Sequence, residues 1–297
     1  MSGLNLYSPL FHDKEKAREF IEELLWPNGT VCAHCNKSDR IYELKGKSTP
    51  LGSYKCGHCR KRFTVTTNTI FHGSHIPLNK WLAAIFMMAS SKKGVSAHQI
   101  HRSLGITYKS AWYLCHRVRE AMELQPLLGK LKGPVESDET YVGPKNVKGK
   151  RGRGAGKKVI VQVLIDRNTG EARSFQVDRA NSKHLKGNIR NNVDDTAYIL
   201  TDEYPAYDNL DKEFAGHYTV NHGKKEYTRG LIHVNFAESY FSLLKRSVIG
   251  TFHHISKAHM HRYLKEFDRR WTERKLSDDE RTRSIIKNVS GKRLKYA

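Results

Sequence analysis

Four cysteines in two close pairs constrain this chain more than any other feature. Cys32 and Cys35 form one C-x-x-C pair in WPNGTVCAHCNKS, and Cys56 and Cys59 form a second in YKCGHCRKRFTV. Two such pairs at this separation are typical of a tetrahedral four-cysteine zinc site, and so small a module could hardly fold without its metal. A redox pair or chance cysteines are the alternatives, but a redox pair would not need a second copy. We therefore predict a zinc ribbon that holds one structural Zn²⁺.

The charge of the chain indicates the kind of partner. Its 297 residues include 52 Lys and Arg against 30 Asp and Glu, a net charge of +22. Such an excess usually means a polyanionic partner, most often nucleic acid, although a ribosome-associated or merely very soluble basic protein would show it too. The sequence has no run of 18 apolar residues, and its N-terminus lacks the form of a signal peptide. We expect a cytoplasmic protein without a membrane span, in which five cysteines do not indicate a disulfide framework.

Residues 76–125 predict three helices, of which the last two are joined by a short turn. Ser96 opens the second helix, Gly105 ends it, and Thr107 caps the third. A helix, a short glycine turn and a basic helix make the helix-turn-helix pattern, although any pair of antiparallel helices would look similar. The side chains that we expect to contact DNA from this helix and from the second cysteine pair are Lys109, Arg117 and Arg119, and Lys61 and Arg62.

An acidic strand stands out in this basic chain. In residues 133–143 (GPVESDETYVG) a period-2 pattern predicts a β-strand, with Glu136 and Asp138 on one face and Glu139 on the other. A nearly all-apolar strand then ends at Asp202, and Asn235 is predicted to cap a helix that carries Glu238. Because Asn-x-x-Glu is itself a capping box, a purely structural role for Glu238 remains open at this point.

Carboxylates brought together from separate elements suit a hard divalent cation. An acidic strand in so basic a chain needs a cation, and Mg²⁺ or Mn²⁺, which prefers oxygen ligands, is the natural one. Two such ions would bind the attacking and leaving oxygens of an in-line displacement at phosphorus. Asp138, Asp202 and Glu238 are therefore the candidate catalytic residues and the candidate ligands of two Mg²⁺ or Mn²⁺ ions per site.

A strongly basic segment follows the acidic strand. Residues 144–158 contain seven Lys or Arg and no acidic residue. Such a run is either a solvated, disordered segment or a clamp on DNA phosphates beside the metals. We favour the clamp, and we place further DNA contacts at the end of the Glu238 helix. The candidates are Lys148, Lys150, Arg151, Arg153 and Lys157 in the segment, and Lys245 and Arg246 in the helix.

With these residues in place, the chain resembles the bacterial insertion-sequence DDE transposases that carry an N-terminal zinc ribbon, the ISXO-like group. The similarity runs from about residue 13 to residue 274, most of the chain. Its markers in chain order are WPNGTVCAHC, YKCGHCRKRFTV, TTNTIFHGSHIPLNKW, SAWYLCHRVREAM, ESDETYVG, ILTDEYPAY, HVNFAESYFSLLKR and GTFHHISKAHMHRYLKEF. Two departures are visible, because Pro144 stands where the family often has Gly and Thr272 where Asn is common.

The resemblance implies an RNase H-like catalytic domain whose first, second and third acids are Asp138, Asp202 and Glu238. It also implies a mobile element's enzyme for DNA recombination, which binds terminal inverted repeats, cleaves and joins DNA with magnesium, and works as at least a dimer on paired ends. The location expected is the bacterial cytoplasm, at the nucleoid. Two other functions are weighed against this one: a catalytically retired transposase that acts as a DNA-binding regulator, and a nuclease that cuts without joining.

The predicted fold class is α+β with several domains. Residues 1–75 would form an N-terminal helix and the zinc ribbon, and residues 76–125 the helix-turn-helix region. Residues 133–275 would form an RNase H-like α/β catalytic domain with a mixed sheet. Residues 276–297 are predicted to be a separate basic tail.

Overall fold

The chain folds as two units, which a computed structural model describes over residues 4–124, 129–143, 158–224, 226 and 228–294. The first unit comprises Met1–Met122 together with Leu276–Ala297, and the second comprises Glu123–Lys275. Within the described ranges, no helix is both long and apolar enough to cross a lipid bilayer.

Five helices form the framework of the first unit. They are α1 (Lys14–Leu25), α2 (Leu78–Ser90), α3 (Ala97–Leu104), α4 (Tyr108–Met122) and α8 (Asp278–Lys287). Helix α1 begins after Asp13, whose carboxylate caps it by accepting the amides of Glu15 and Lys16 at 2.8 and 3.2 Å. The apolar sides of the helices meet in one core, in which Trp81 and Ile85 of α2 and Ala111 of α4 are at most 1% exposed.

A small antiparallel sheet in the same unit lies next to the cysteine pairs, and its second strand ends at Cys56. Its strands are β1 (Ile41–Glu43), β2 (Tyr54–Cys56) and β3 (Arg62–Phe63), in the order β1-β2-β3. The rings of Trp26, Tyr54 and Phe63 pack on one another with centroids 5.5 to 6.1 Å apart. This core is too small to hold a sheet by itself, so the sheet depends on the cysteine site described below.

Helices α3 and α4 are joined by a short turn at Gly105. Ser96 accepts the amide of Gln99 at 3.2 Å, and Gly105 ends α3 with a left-handed φ of 58°. Thr107 accepts the amide of Ser110 at 3.2 Å where α4 begins. The pair of helices and its turn are therefore as expected, whereas the binding of DNA by this pair stays a prediction.

The end of the chain is not a separate tail, contrary to our prediction. Ser277 forms a capping box with Glu280, and α8 begins there. Ile285, Ile286 and Val289 are at most 1% exposed and belong to the same core as α1, α2 and α4. The many basic residues of this segment led us to predict a tail, although the apolar residues among them pack in the core of the first unit.

A five-stranded mixed sheet forms the second unit. The strands are β4 (Val135–Val142), β5 (Val159–Asp166), β6 (Ala172–Val177), β7 (Tyr198–Asp202) and β8 (Gly216–Val220), in the order β6-β5-β4-β7-β8. Strands β4, β5 and β6 pair antiparallel, whereas β7 is parallel to both β4 and β8. The predicted α/β domain with a mixed sheet is thereby confirmed, and the more specific RNase H-like assignment stays a prediction.

Helices cover both faces of this sheet. Helix α5 (Ser182–Asn192) packs on the face of Val135 and Leu164, and helices α6 (Asn235–Ser247) and α7 (Met260–Thr272) pack on the face of Val161 and Val163. Alternation along β4 therefore directs Glu136 and Asp138 towards α6 and α7. Glu139 points to the opposite face, where its carboxylate accepts the hydroxyl of Tyr207 at 2.8 Å.

Helix α7 covers the edge strand β6. Thr272 accepts the amide of Ala172 at 3.0 Å, and Asp268 accepts the amide of Ser174 at 3.0 Å. These side chains accept hydrogen bonds from backbone amides of β6 that could otherwise pair with a strand of another chain. Thr272 is one of the two departures from the family pattern, and its hydroxyl accepts an amide of the edge strand.

The burial of α8 gives a stability prediction. Ile286→Ala should lower the free energy of unfolding by about 2–5 kcal/mol, because a fully buried isoleucine leaves a cavity. Lys287→Ala, at the exposed next position, should change it by less than about 0.5 kcal/mol. Urea unfolding of both variants measures the difference. Equal effects would mean that the segment after residue 276 does not pack on the first unit.

Candidate metal centre and active site

The four cysteines come together as one cluster. The sulfur atoms of Cys32 and Cys59 lie 3.6 Å apart, as do those of Cys35 and Cys56. All four sulfurs lie within 4.8 Å of one another. A tetrahedron of sulfurs around zinc has edges of about 3.8 Å, so this donor set fits Zn²⁺ as the sequence predicted.

The backbone of the two cysteine pairs repeats the same turn. Asn36 and Arg60, each directly after the second cysteine of its pair, have left-handed φ angles of 57° and 60°. The amide of Cys32 donates to Lys37 O, and that of Cys56 donates to Lys61 O. This repeated turn brings the two sulfurs of each pair to one side of the backbone.

The turns also point amides at sulfur. The amides of Cys59 and His58 lower the pKa of Cys56 to about 6, which favours its thiolate. For Cys35, the amide of Lys37 acts in the same direction, but burial and the three other sulfurs outweigh it and raise the pKa to about 12. Four thiols this close cannot all ionise without a cation among them, and zinc supplies one.

The predicted acids are carried by three different elements of the second unit. Asp138 lies in the middle of β4, Asp202 is the last residue of the neighbouring strand β7, and Glu238 is in the first turn of α6. Asp138 and Asp202 are partly buried, whereas the side chain of Glu238 is 53% exposed. Their proximity follows from the pairing of β4 with β7 and from the packing of α6 on β4.

These carboxylates influence one another's charge. Burial, and then the negative charges of Asp202, Glu139 and Glu238, raise the pKa of Asp138 to about 8. Their oxygens are farther apart than the four sulfurs, because within the described residues the cysteines alone form a group of three or more donors within 4.8 Å. The site is thus a loose group of acids whose negative charge a divalent cation would offset.

Two basic side chains that the sequence pattern did not assign to this group approach it. Partial desolvation lowers the pKa of Lys245, and the charge of Asp138 acts in the opposite direction, so this exposed lysine at the end of α6 is near enough to Asp138 for their charges to interact. His222 Nε2 lies 3.9 Å from Glu238 Oε1. His222 follows β8 in a turn whose amides, at His222 and Gly223, donate to Glu203 at 2.9 and 3.1 Å. The only signal in the sequence is Glu203, the acid next to Asp202, and it does not by itself indicate which turn it binds.

The start of α6 differs from our prediction. Asn235 is not the helix cap, since the helix has Val234 at that position and no capping side chain of its own. The amides of Phe236 and Ala237 instead donate to Glu136 Oε2 at 2.8 and 3.0 Å. The capping-box explanation for Glu238 is therefore wrong, because a carboxylate from β4, a hundred residues earlier in the chain, accepts those amides.

The predicted DNA-contacting residues fall into three groups. Lys61, Arg62, Lys109, Lys245 and Arg246 are exposed. Lys148, Lys150, Arg151, Arg153 and Lys157 lie outside the described residues. Arg117 and Arg119, by contrast, are 5% and 2% exposed and do not lie on an open surface.

The burial of Arg117 corrects our prediction for the second half of α4. Its guanidinium lies over the rings of Trp81 and Tyr113, 5.3 and 5.5 Å from their centroids, and donates to His72 O at 2.6 Å. Stacking and hydrogen bonding inside the first unit therefore hold this charge. Nearly every side chain in the second half of α4 is buried, the basic ones together with the apolar ones.

Comparison with known proteins identifies the class of the chain as a transposase with a zinc ribbon. The transposase zinc-ribbon domain matches residues 12–62, and the ISXO2-like transposase domain matches residues 130–272. An uncharacterized protein in transposable element ISH50 of Halobacterium salinarum is 30% identical over 278 residues, which cover 88% of this chain and 91% of that protein. The chain belongs to the ISXO2-like transposase family.

A solved structure is also similar over part of the chain. It is a chain of the simian T-cell lymphotropic virus intasome in complex with PP2A regulatory subunit B56 gamma. The two share 14% sequence identity with a TM-score of 0.31, over 63% of this chain and 65% of the other. We draw no conclusion from a similarity at this level.

The cysteine cluster predicts a specific loss of zinc. Cys56→Ser should reduce the bound zinc from about one ion per chain to nearly none, because serine is a poor ligand for this metal. Cys115→Ser is the matched control, since Cys115 is equally buried but lies in the helical core rather than in the cluster. Elemental analysis of the purified proteins measures the metal. Full zinc in Cys56→Ser would contradict the assignment.

The raised pKa of Asp138 predicts how stability depends on pH. An unfolded aspartate releases its proton near pH 4, whereas the folded protein keeps the proton on Asp138 up to about pH 8. The folded state therefore binds more protons between these values, and this group makes the protein less stable as the pH rises through them. Asp138→Asn removes that loss, so it should be more stable than the wild type at pH 8.5 without added divalent metal.

The size of this effect is at most about 5 kcal/mol and should shrink towards pH 4. Thermal unfolding across pH measures it, without a chelator that would strip the zinc site. Asp178→Asn is the control, because this exposed carboxylate pairs with Lys257 at 2.9 Å and its pKa is lowered. If Asp138→Asn is the less stable protein at pH 8.5, burial and the neighbouring acids do not disfavour the charge of Asp138 as described.

Proposed function

We propose that this protein is a DNA transposase that binds the terminal inverted repeats of an insertion sequence and catalyses metal-dependent strand cleavage and strand transfer. The observation that carries the proposal is the placement of Asp138, Asp202 and Glu238 on three elements that pack together, β4, β7 and the first turn of α6. Burial, and then the charges of Asp202, Glu139 and Glu238, raise the pKa of Asp138 there. Groups whose charge is disfavoured by burial and by like-charged neighbours are typical of active sites. Membership of a transposase family supports DNA strand cleavage and transfer as the reaction of that site.

The donor set fits Mg²⁺ or Mn²⁺. Asp138, Asp202 and Glu238 would hold the cations, two per active site, and oxygen ligands of this charge suit such ions better than zinc or copper. When bound, the cations would stabilise the attacking and leaving oxygens of a phosphodiester. The nearby acids Glu139 and Glu203 are engaged by Tyr207 and by the turn at His222, which supports the assignment of the other three.

Basic side chains around the acids would hold the DNA. Lys245 lies near Asp138 and Arg246 is exposed on the same last turn of α6, so both would contact phosphates next to the scissile bond. The positive charge of Lys245 would also offset the charge of the acids in the absence of DNA. The exposed Lys61, Arg62 and Lys109 would contribute phosphate contacts from the zinc ribbon and α4, and residues 144–157 remain proposed as a clamp.

The mixed sheet with helices on both faces supports an RNase H-like assignment for the second unit. The turn between α3 and α4 supports a helix-turn-helix in the first. Two copies at least would act on a pair of transposon ends, one site for each end. Since its substrate would be chromosomal DNA, we place the protein in the cytoplasm at the nucleoid.

A strand-transfer assay tests the proposal. The purified, zinc-loaded protein is incubated with labelled DNA that ends in the repeats flanking its own gene, with and without Mg²⁺. Asp138→Asn, Asp202→Asn and Glu238→Gln should each lower the rate by about 10²-fold or more, because each removes a direct ligand. Asp178→Asn, in the same unit but on an exposed ion pair, should retain activity.

Each outcome of this assay favours one function. Joined products that require the metal and all three carboxylates support the transposase. Specific binding of the ends with no cleavage in the wild type would instead mean a retired transposase that regulates. Cleavage without joining would mean a nuclease. Activity that survives loss of Asp138 would contradict the proposed site.

A further inference from the structure

A buried ion pair connects the strand that carries Asp138 to the helix that carries Glu238. Glu136 is 0% exposed, and its Oε1 accepts from Arg167 Nε at 2.7 Å. Arg167 directly follows β5, in the turn to β6, and is itself mostly buried, with 13% of its side chain exposed. A carboxylate buried this completely requires a partner of this kind, because an isolated buried charge is costly.

The same pair holds the amides at the start of α6. Glu136 Oε2 accepts the amides of the second and third helical residues, Phe236 and Ala237. The amide of Asn235, the first helical residue, donates to His233 Nδ1 at 3.4 Å. A helix leaves its first amides without partners inside the helix, and a carboxylate at that end also interacts favourably with the helix dipole.

Arg167 fixes the segment that leads into the helix. It donates to the carbonyl oxygens of Leu231 and His233, the latter at 2.7 Å, and to His233 Nδ1 at 2.7 Å. His233 Nδ1 also lies 3.3 Å from Glu136 Oε1. One guanidinium thus holds both the carboxylate that caps α6 and the backbone just before it.

The Glu136–Arg167 pair lies close to two of the three acids along the chain. Glu136 and Asp138 are two residues apart on one face of β4, about 7 Å along the strand. The last amide that Glu136 holds belongs to Ala237, and Glu238 is the next residue of the helix. A shift of this helix start is therefore passed directly to Glu238, and a misplacement of about 1 Å can cost about 10²-fold in rate.

We propose that Glu136 and Arg167 are positioning residues, which set the distance of Glu238 from Asp138 and thereby the affinity of the acids for the divalent metal. They touch neither DNA nor metal in this scheme. The inference rests on the proposed function, because it takes the three acids as the metal site. The chain offers a matched control in Glu171, which is 3% exposed and pairs with Arg173 at 2.8 Å on β6, away from α6.

The test measures the binding of Mn²⁺ alone, by electron paramagnetic resonance of the full-length, zinc-loaded protein without DNA. Glu136→Gln should raise the Mn²⁺ concentration for half-saturation by about 10- to 100-fold, the range found when a group that orients metal ligands is lost. Arg167→Lys keeps the positive charge but loses the several N–H donors of the guanidinium. It should raise the Mn²⁺ concentration for half-saturation by several-fold. Glu171→Gln should stay within about twofold of the wild type.

Thermal unfolding of the same proteins separates positioning from stability. Glu136→Gln and Glu171→Gln should both lower the melting temperature, since each breaks a buried ion pair. Only Glu136→Gln and Arg167→Lys should weaken the binding of Mn²⁺. In the strand-cleavage assay, these two variants should also regain rate at high Mn²⁺, whereas a loss of folded protein would not be recovered.

The inference is overturned if Glu136→Gln and Arg167→Lys bind Mn²⁺ like the wild type, or if Glu171→Gln weakens binding as much. Arg167→Lys decides the question if Glu136→Gln does not fold. Asp138→Asn distinguishes the two proposals. If that variant still binds Mn²⁺ like the wild type, then the acids are not the metal site, and both the proposed function and this inference fail. If Asp138→Asn loses Mn²⁺ binding while Glu136→Gln and Arg167→Lys keep it, only the inference fails.

Discussion

The second unit depends on bringing like charges together. Burial, and then the negative charges of Asp202, Glu139 and Glu238, disfavour the charged form of Asp138 and raise its pKa to about 8. The fold meets that cost through the hydrogen bonding of β4 to β7 and the apolar packing of α6 on the sheet. A site held against repulsion in this way is ready for a cation, and its stability without one should depend on pH.

The first unit contains the same problem in another form. Four cysteine sulfurs lie within 4.8 Å of one another, next to a sheet of three very short strands that includes only Cys56. The thiols cannot all lose their protons unless a cation is present, and the small aromatic core beside them cannot hold the sheet alone. Zinc would therefore be part of the folding of this module, whereas the cations proposed for the acids would take part in the reaction.

Within each unit, several charged side chains bind other parts of the same unit instead of facing solvent. Arg117 stacks between two aromatic rings, Glu136 caps a distant helix, and Asp268 accepts a backbone amide of an edge strand. Net positive charge is a sound guide to a nucleic-acid partner for the whole chain, but it does not say which arginines contact that partner. Arg117 and Arg119 show this, since a basic helix contributes buried arginines as well as exposed ones.

The sequence by itself determined the features that rest on local spacing. These are the two cysteine pairs, the period of β4 that puts Glu136 and Asp138 on one face, the strand that ends at Asp202, and the turn at Gly105. Spacing also selected the three acids, although it left a capping role open for Glu238. Family resemblance then favoured the catalytic role, and the fold brought the acids near one another.

Only the tertiary structure decided which distant groups meet. Glu136 reaches the amides of α6 a hundred residues later, Arg167 arrives from a turn between two other strands, and α8 closes the core of the unit in which the chain began. Local patterns predict where a side chain points relative to its own strand or helix, but not what packs against it. The cap of α6 was therefore wrongly given to Asn235, the nearest residue with a suitable side chain, because sequence distance carries no information on a partner supplied by the fold.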